Sequence, residues 1–243
     1  MALAREIVEL SGVDRYLEHL GLAARGEFGR LFWRLQNGQA ALQAVAPLFR
    51  RDVLTATAAE VLAQRLDSEH AQALIDWLRS PLYRRIHRLE AEASNQASHS
   101  KYRQFVSRLP DTGIPPRRLA LVQQMEQDSR AAEFQVEMER AVRQALGRAL
   151  SPLLPREHGS EDVGPAALDE KERMRIEVLT MALFAYRSLS EAELEAYARF
   201  EGSPAGLWAS GVLRASLKET IRVAERRASV AVKMLAMRKA AAR

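Results

Sequence analysis

Cysteine is absent from the 243 residues. That excludes disulfides, thiolate metal sites, iron–sulfur clusters and cysteine nucleophiles together. No stretch of about 18 apolar residues occurs, so no segment is patterned to cross a bilayer as a helix. Nine prolines, 12 glycines and 6% aromatic residues leave few chain breakers, which excludes collagen-like and Pro/Gly low-complexity classes. Period-two alternation of apolar and polar residues is scarce, which argues against exposed strands. No basic n-region and apolar h-region open the chain at Met1-Ala2-Leu3-Ala4-Arg5-Glu6. A cytoplasmic protein and a mature exported protein both fit that start.

What is abundant is helix-forming: Ala, Leu, Arg, Glu and Gln dominate a chain that is 47% apolar and 28% charged. Phe134, Met138, Val142 and Leu146 advance four at a time, as on one face of a long helix. The spacing predicts an all-α fold. Pro110-Asp111-Thr112-Gly113-Ile114-Pro115-Pro116 reads as a rigid connector between halves at 1–110 and 114–243, with Pro116 in the first turn of the next helix. Ser151 to Leu168 reads as a long loop, with Asp169 capping the helix beyond it.

The two halves match each other at a constant offset of 123 residues. Leu66 meets Leu189, Ala73 meets Ala196, Trp77 meets Phe200, and Ser80-Pro81 meets Ser203-Pro204. About 40 residues align without a gap, which points to a duplicated helical unit and so to two tandem copies packed as a helical bundle. Similarity between two Ala/Leu-rich helices is the plainer alternative. Ser190 with Glu193 has the spacing of a capping box, whereas Asp67 with His70 predicts a single cap. Gly202 is expected to end its helix in a left-handed turn, Ser203 to cap the next helix and Pro204 to take its first position. Arg79 stands where Gly202 does, so the first corner is expected to be more strained. Trp77 and Phe200 are expected to be buried in the angles of their corners.

These residues resemble the bacterial family called domain of unknown function 2059. Its motif runs close to Leu-Thr/Ser-x-x-Glu-Leu-x-x-Leu-x-x-Phe-Tyr-x-Ser-Pro-x-Gly. The second copy matches at Leu189, Ser190, Glu193, Leu194, Tyr197, Phe200, Ser203, Pro204 and Gly206. The first keeps Leu66, Leu74, Trp77, Ser80 and Pro81, with Tyr83 in place of Gly206. The likeness covers mainly residues 171–210 and more weakly 48–88. It implies a helical fold and a place in the bacterial periplasm, and it implies no reaction.

Candidate chemistry has a structural counterpart at each position. Gly202-Ser203-Pro204-Ala205-Gly206 lacks the strand of a nucleophile elbow, and Pro204 makes capping the natural role of Ser203. His19, His70, His87, His99 and His158 have no metal-ligand spacing; a site assembled from distant parts of the chain is the alternative. Glu133 and Glu137 share a helix face, as a cation site or as a solvated surface beside Arg130 and Arg140. No catalytic residue, metal or cofactor is expected.

Charge is uneven. From Ala205 to Arg243 nine basic residues face two acidic ones, leaving +7 there and −2 over the rest of a +5 chain. Leu213, Leu217, Ile221, Ala224, Ala228, Ala231 and Leu235 form an apolar stripe, with Arg222, Arg226, Arg227, Lys233 and Lys239 on other faces. This segment fits a core helix with snorkelling cations, a helix on an anionic membrane or polymer, or a nucleic-acid contact. Aromatics are not interleaved with the cations, so nucleic acid is not expected. The leading expectation is a non-catalytic interaction or structural protein of the periplasm with a protein partner. Binding of anionic lipid or polymer through Arg222, Arg226, Arg227 and Lys233 comes second, and a hydrolase third.

Overall fold

A computed structural model of the chain describes residues 1–35, 37–154 and 168–241, apart from the side chains of residues 68, 168 and 239–241. Among the described residues there are twelve α-helices and no strand, an all-α bundle. They are α1 (Ala2–Leu10), α2 (Val13–Phe32), α3 (Gly38–Val45), α4 (Arg51–Ala63), α5 (Ser68–Leu78), α6 (Pro81–Ala93), α7 (His99–Thr112), α8 (Pro116–Ser129), α9 (Ala131–Leu150), α10 (Leu168–Ala185), α11 (Glu191–Glu201) and α12 (Pro204–Ala241).

The chain forms two compact units, and each draws on both halves of the sequence. One holds Met1–Leu66, Glu137–Pro165 and Leu213–Arg243; the other holds Asp67–Val136 and Ala166–Val212. The boundaries at 136/137 and 212/213 fall inside α9 and α12.

In the first unit α1 and α2 pack on α4. Ile7, Leu17, Leu54, Leu62, Met138 and Leu146 are among its fully buried side chains. Gly21 permits a close approach there, because a Cβ would stand 2.6 Å from the Phe49 carbonyl oxygen. The buried face of the C-terminal part of α12 is Leu217, Ile221, Ala224, Ala228 and Val232. In the second unit α11 packs on α8, and α10 on α6, α7 and α8. Ile86, Val122, Leu183, Phe184, Leu189 and Leu194 make its centre. These side chains come from four helices and the turn before α11, so burial of their apolar area stabilises the tertiary arrangement more than any one helix.

Two local expectations are corrected, and a third falls mostly outside the described residues. The proline-rich connector is shorter than the sequence suggests: α7 continues through Pro110 to Thr112 and ends at Gly113, whose φ of 64° and N–H to the Leu109 carbonyl close the helix. Pro110 sits in the last turn, so the one backbone bond it removes, to the Val106 carbonyl, is lost with only two helical residues still to follow. Asp169 is inside the first turn of α10, which begins one residue earlier, so its carboxylate meets the positive end of the helix without being the cap. The loop expected from Ser151 begins with a 3-10 turn over Ser151–Leu153; residues 155–167, His158 included, lie outside the described residues.

Candidate functional site

The two Ser-Pro corners lie in the second unit, and their backbones follow one pattern. α5 and α11 are each 11 residues long, and the helices after them begin at Pro81 and Pro204. Arg79 N–H donates to the Ile75 carbonyl and Gly202 N–H to that of Ala198, at 2.9 and 3.0 Å. Ser80 N–H reaches the Trp77 carbonyl and Ser203 N–H that of Phe200, again at 2.9 and 3.0 Å. Ser80 Oγ accepts from Tyr83 N–H, and Ser203 Oγ from Gly206 N–H, both at 3.1 Å. Both serines are N-caps, with proline in the first turn where no N–H is needed.

The expected left-handed turn at Gly202 is not formed. Its φ, ψ of −80°, −3° match the −82°, −11° of Arg79, so an ordinary residue fits either corner and Arg79 carries no strain. A 3-10-like last turn already satisfies the helix-end carbonyls, which leaves a positive φ nothing to do. Glycine is required instead at Gly206, where a Cβ would stand 2.1 Å from the Phe200 carbonyl oxygen and 2.8 Å from that of Glu201.

Trp77 and Phe200 are half-buried, each short of the burial expected of it, and they stack on each other. Their centroids are 4.4 Å apart with 10° between planes. Tyr197 also stacks on Trp77, at 6.1 Å, and meets Tyr186 edge-on at 5.7 Å. The equivalent aromatics of the two corners thus form the centre of one cluster.

Ser190 and Glu193 form the capping box, Glu193 N–H to Ser190 Oγ at 3.2 Å and Ser190 N–H to Glu193 Oε2 at 2.8 Å. These bonds, together with the Arg85 guanidinium that pairs with it, hold the Glu193 carboxyl below the usual range. Asp67 accepts from Glu69 N–H at 3.1 Å, and His70 Nδ1 lies 2.7 Å from its other oxygen, so the first cap is also a two-residue device. The His70 contact, with the backbone bond from Glu69, lowers the Asp67 pKa. His70 also stacks on Trp208, 5.5 Å away. Arg85 and Arg118 donate to the carbonyls of Ser188, Tyr186 and Leu189, and so fix the turn that feeds the second cap.

A cluster of acids under the second corner was not anticipated from the sequence. Tyr186 donates to Glu90 Oε1 at 2.6 Å. Burial, with Glu90 beside it, raises the Tyr186 pKa well above its ordinary value. Asp128 Oδ2 and Trp77 Nε1 are buried without a hydrogen-bond partner among the described residues. Burial, and after it the nearby Glu90 and Asp128, push the Glu201 carboxyl up to about 7. Spacing could have found these groups. Glu201 follows Leu194 and Tyr197–Ala198 at i+7 on the inner face of α11, and Glu90 follows Tyr83 and Ile86 on that of α6. Among the described residues no group of His, Asp or Glu is arranged to hold a metal ion.

Elsewhere several charges pair. Glu133 meets Arg130 and Lys171, and Glu137 meets Lys218 at 2.5 Å. In the first unit a cleft of about 360 Å³ is lined by Arg5, Glu9, Asp14, Arg51 and Asp52 over Val8. Arg51 is taken up by Asp14 and Glu18.

The predicted anion contacts occupy the outer side of α12. Arg222, Arg226, Arg227 and Lys233 are all exposed. Arg226 donates to Glu219 at 2.8 Å, and Arg222 reaches the same carboxylate at 3.5 Å. These bonds, that of Arg226 first, lower the Glu219 pKa. Arg227 donates to the Thr57 hydroxyl at 3.1 Å. What the sequence reading missed is the apolar row among them: Val230, Met234 and Met237 are 55%, 57% and 70% exposed. Their i, i+4, i+7 spacing was the available signal, a second stripe opposite Ala224, Ala228 and Val232.

No known protein family matches the chain. Neither a curated protein nor a solved structure similar to it was found. No described helix is long and apolar enough to cross a membrane.

Proposed function

We propose that the protein is a non-catalytic helical interaction protein that docks on an anionic surface through the outer face of the C-terminal part of α12, and that it works in the bacterial periplasm. The observation that carries the docking is the composition of that face. Residues 226–243 contain six basic residues and no acidic one, and Arg226, Arg227, Lys233 and Arg238 are exposed. Such a field attracts an anionic partner over about a Debye length and weakens with salt. Lys233 and Arg238 have no ion-pair partner among the described residues, so docking need not first break a bond at either.

The corner geometry supports a scaffold role for the second unit, and the shared helix ends and hydrogen bonds at one offset support descent of both corners from one duplicated hairpin. The periplasmic placement draws on the likeness to domain of unknown function 2059 at Leu189–Gly206.

The test is co-sedimentation of the full chain with phosphatidylglycerol vesicles and its retention on heparin. The proposal expects both at low salt, both falling as salt rises, and both lost with Arg226→Glu, Arg227→Glu and Lys233→Glu together. Absence of binding to either anionic material would remove it.

A further inference from the structure

The cations of α12 do not stand alone. Val230, Met234 and Met237 run along the outer face as one apolar row. Arg222, Arg226 and Lys233 follow one edge of it, at spacings of four and eleven residues that return to nearly the same angle. Arg227 and Arg238, eleven apart, follow the other edge. The face opposite is occupied: Ala224, Ala228 and Val232 are buried at 3%, 0% and 0%. Core packing therefore has no use for the outer row. Three large apolar side chains at 55–70% exposure cost free energy in water, which a partner covering them would recover.

The geometry points to a lipid bilayer with anionic headgroups as the partner, with Val230, Met234 and Met237 entering the boundary between headgroups and acyl chains and the flanking arginines and lysines holding phosphates. This rests on the docking reading above and decides which anionic material is meant. A dissolved polyanion would use the charges and leave the apolar row wet. A bilayer uses both, because long basic side chains lying beside an apolar stripe can reach up to headgroups while the stripe is covered. Methionine suits this position, since its unbranched side chain adapts to a fluid boundary. The row is short and narrow, so it predicts reversible, peripheral attachment that requires the electrostatic component.

The experiment compares the wild-type chain with Met234→Gln, Met237→Gln, which leaves charge and helix propensity nearly unchanged. Binding to phosphatidylglycerol vesicles is expected to weaken about tenfold or more, while retention on heparin stays as in the wild type. A second measurement needs no variant. Mild peroxide converts exposed methionine to the sulfoxide, read residue by residue by mass spectrometry. Vesicles are expected to protect Met234 and Met237, with exposed Met1 as the reactive control and buried Met138 as the inert one. Unchanged vesicle binding by the double variant, or equal oxidation with and without vesicles, would overturn the lipid assignment and leave anionic docking standing. Wild-type binding to neither vesicles nor heparin would overturn the docking itself. Protection that rises with protein concentration and needs no vesicle would overturn the assignment in favour of a second copy of this chain.

Discussion

The corners at Leu66–Tyr83 and Leu189–Gly206 reach the same backbone with different residues. Asp67 and His70 stand for Ser190 and Glu193, Arg79 for Gly202, Leu78 for Glu201 and Tyr83 for Gly206. Hydrogen bonds at the helix ends do not register these exchanges. Packing does. Leu78 is 2% exposed and apolar, whereas Glu201 at the equivalent place is a carboxylate beside two others. The first corner accommodates a tyrosine side chain where the second has no room for a single methyl group. A turn is therefore specified by its caps and its proline, while the angle at which it closes is specified by what the neighbouring helices bring to it.

The largest expected effect breaks this equivalence at Gly206. Gly206→Ala forces a Cβ against two backbone oxygens and is expected to cost about 3 kcal/mol in urea unfolding. Gly202→Ala, with right-handed φ and only the movable end of Asp128 at 3.2 Å from its Cβ, is expected to stay within about 1 kcal/mol of wild type. Similar losses at both glycines would mean that the corners do not differ as described.

Next is Glu201. Its folded pKa of about 7 lies above the ordinary 4.5, so the folded state binds the proton more tightly than the unfolded state. Its contribution is favourable at pH below about 4.5, falls as pH rises through 7, and then levels off. The span is worth about 3 kcal/mol. Glu201→Leu, which copies Leu78, is expected to remove that slope and to raise the unfolding midpoint at pH 8. A pH–stability curve for the variant parallel to that of the wild type would show the carboxyl to be solvated.

Smaller still are the caps. Ser190→Ala is expected to cost about 1 kcal/mol by thermal or urea unfolding. Asp67→Ser with His70→Glu transplants the second cap onto the first and is expected to leave the unfolding midpoint unchanged.

Much of this was legible in the sequence, and the parts that were not have a common cause. Capping residues act on backbone groups within three positions, so Ser190–Glu193 and Ser80–Tyr83 could be read directly. The all-α fold followed from helix formers and i, i+4 spacing for the same reason. Gly202 misled because glycine at a helix end usually signals positive φ, whereas here the turn closes without it. Pro110 misled because a proline in a final turn leaves the helix almost intact. The Trp77–Phe200 stack joins residues 123 apart, and the two compact units each take segments from both halves; neither arrangement has a local signature. The outer row of α12 was readable, but Leu217, Ile221, Ala224 and Ala228 already give that helix one complete apolar face.

The face-to-face packing of the corners is tested most directly by a double-mutant cycle on its central pair. Unfolding free energies of the wild type, Trp77→Leu, Phe200→Leu and the combined variant give the coupling between the rings. A stack at 4.4 Å predicts a coupling of about 1 kcal/mol, so that the double variant loses less than the two single losses added together. Strict additivity, a coupling of zero, would contradict the claim that the two corners are built against one another.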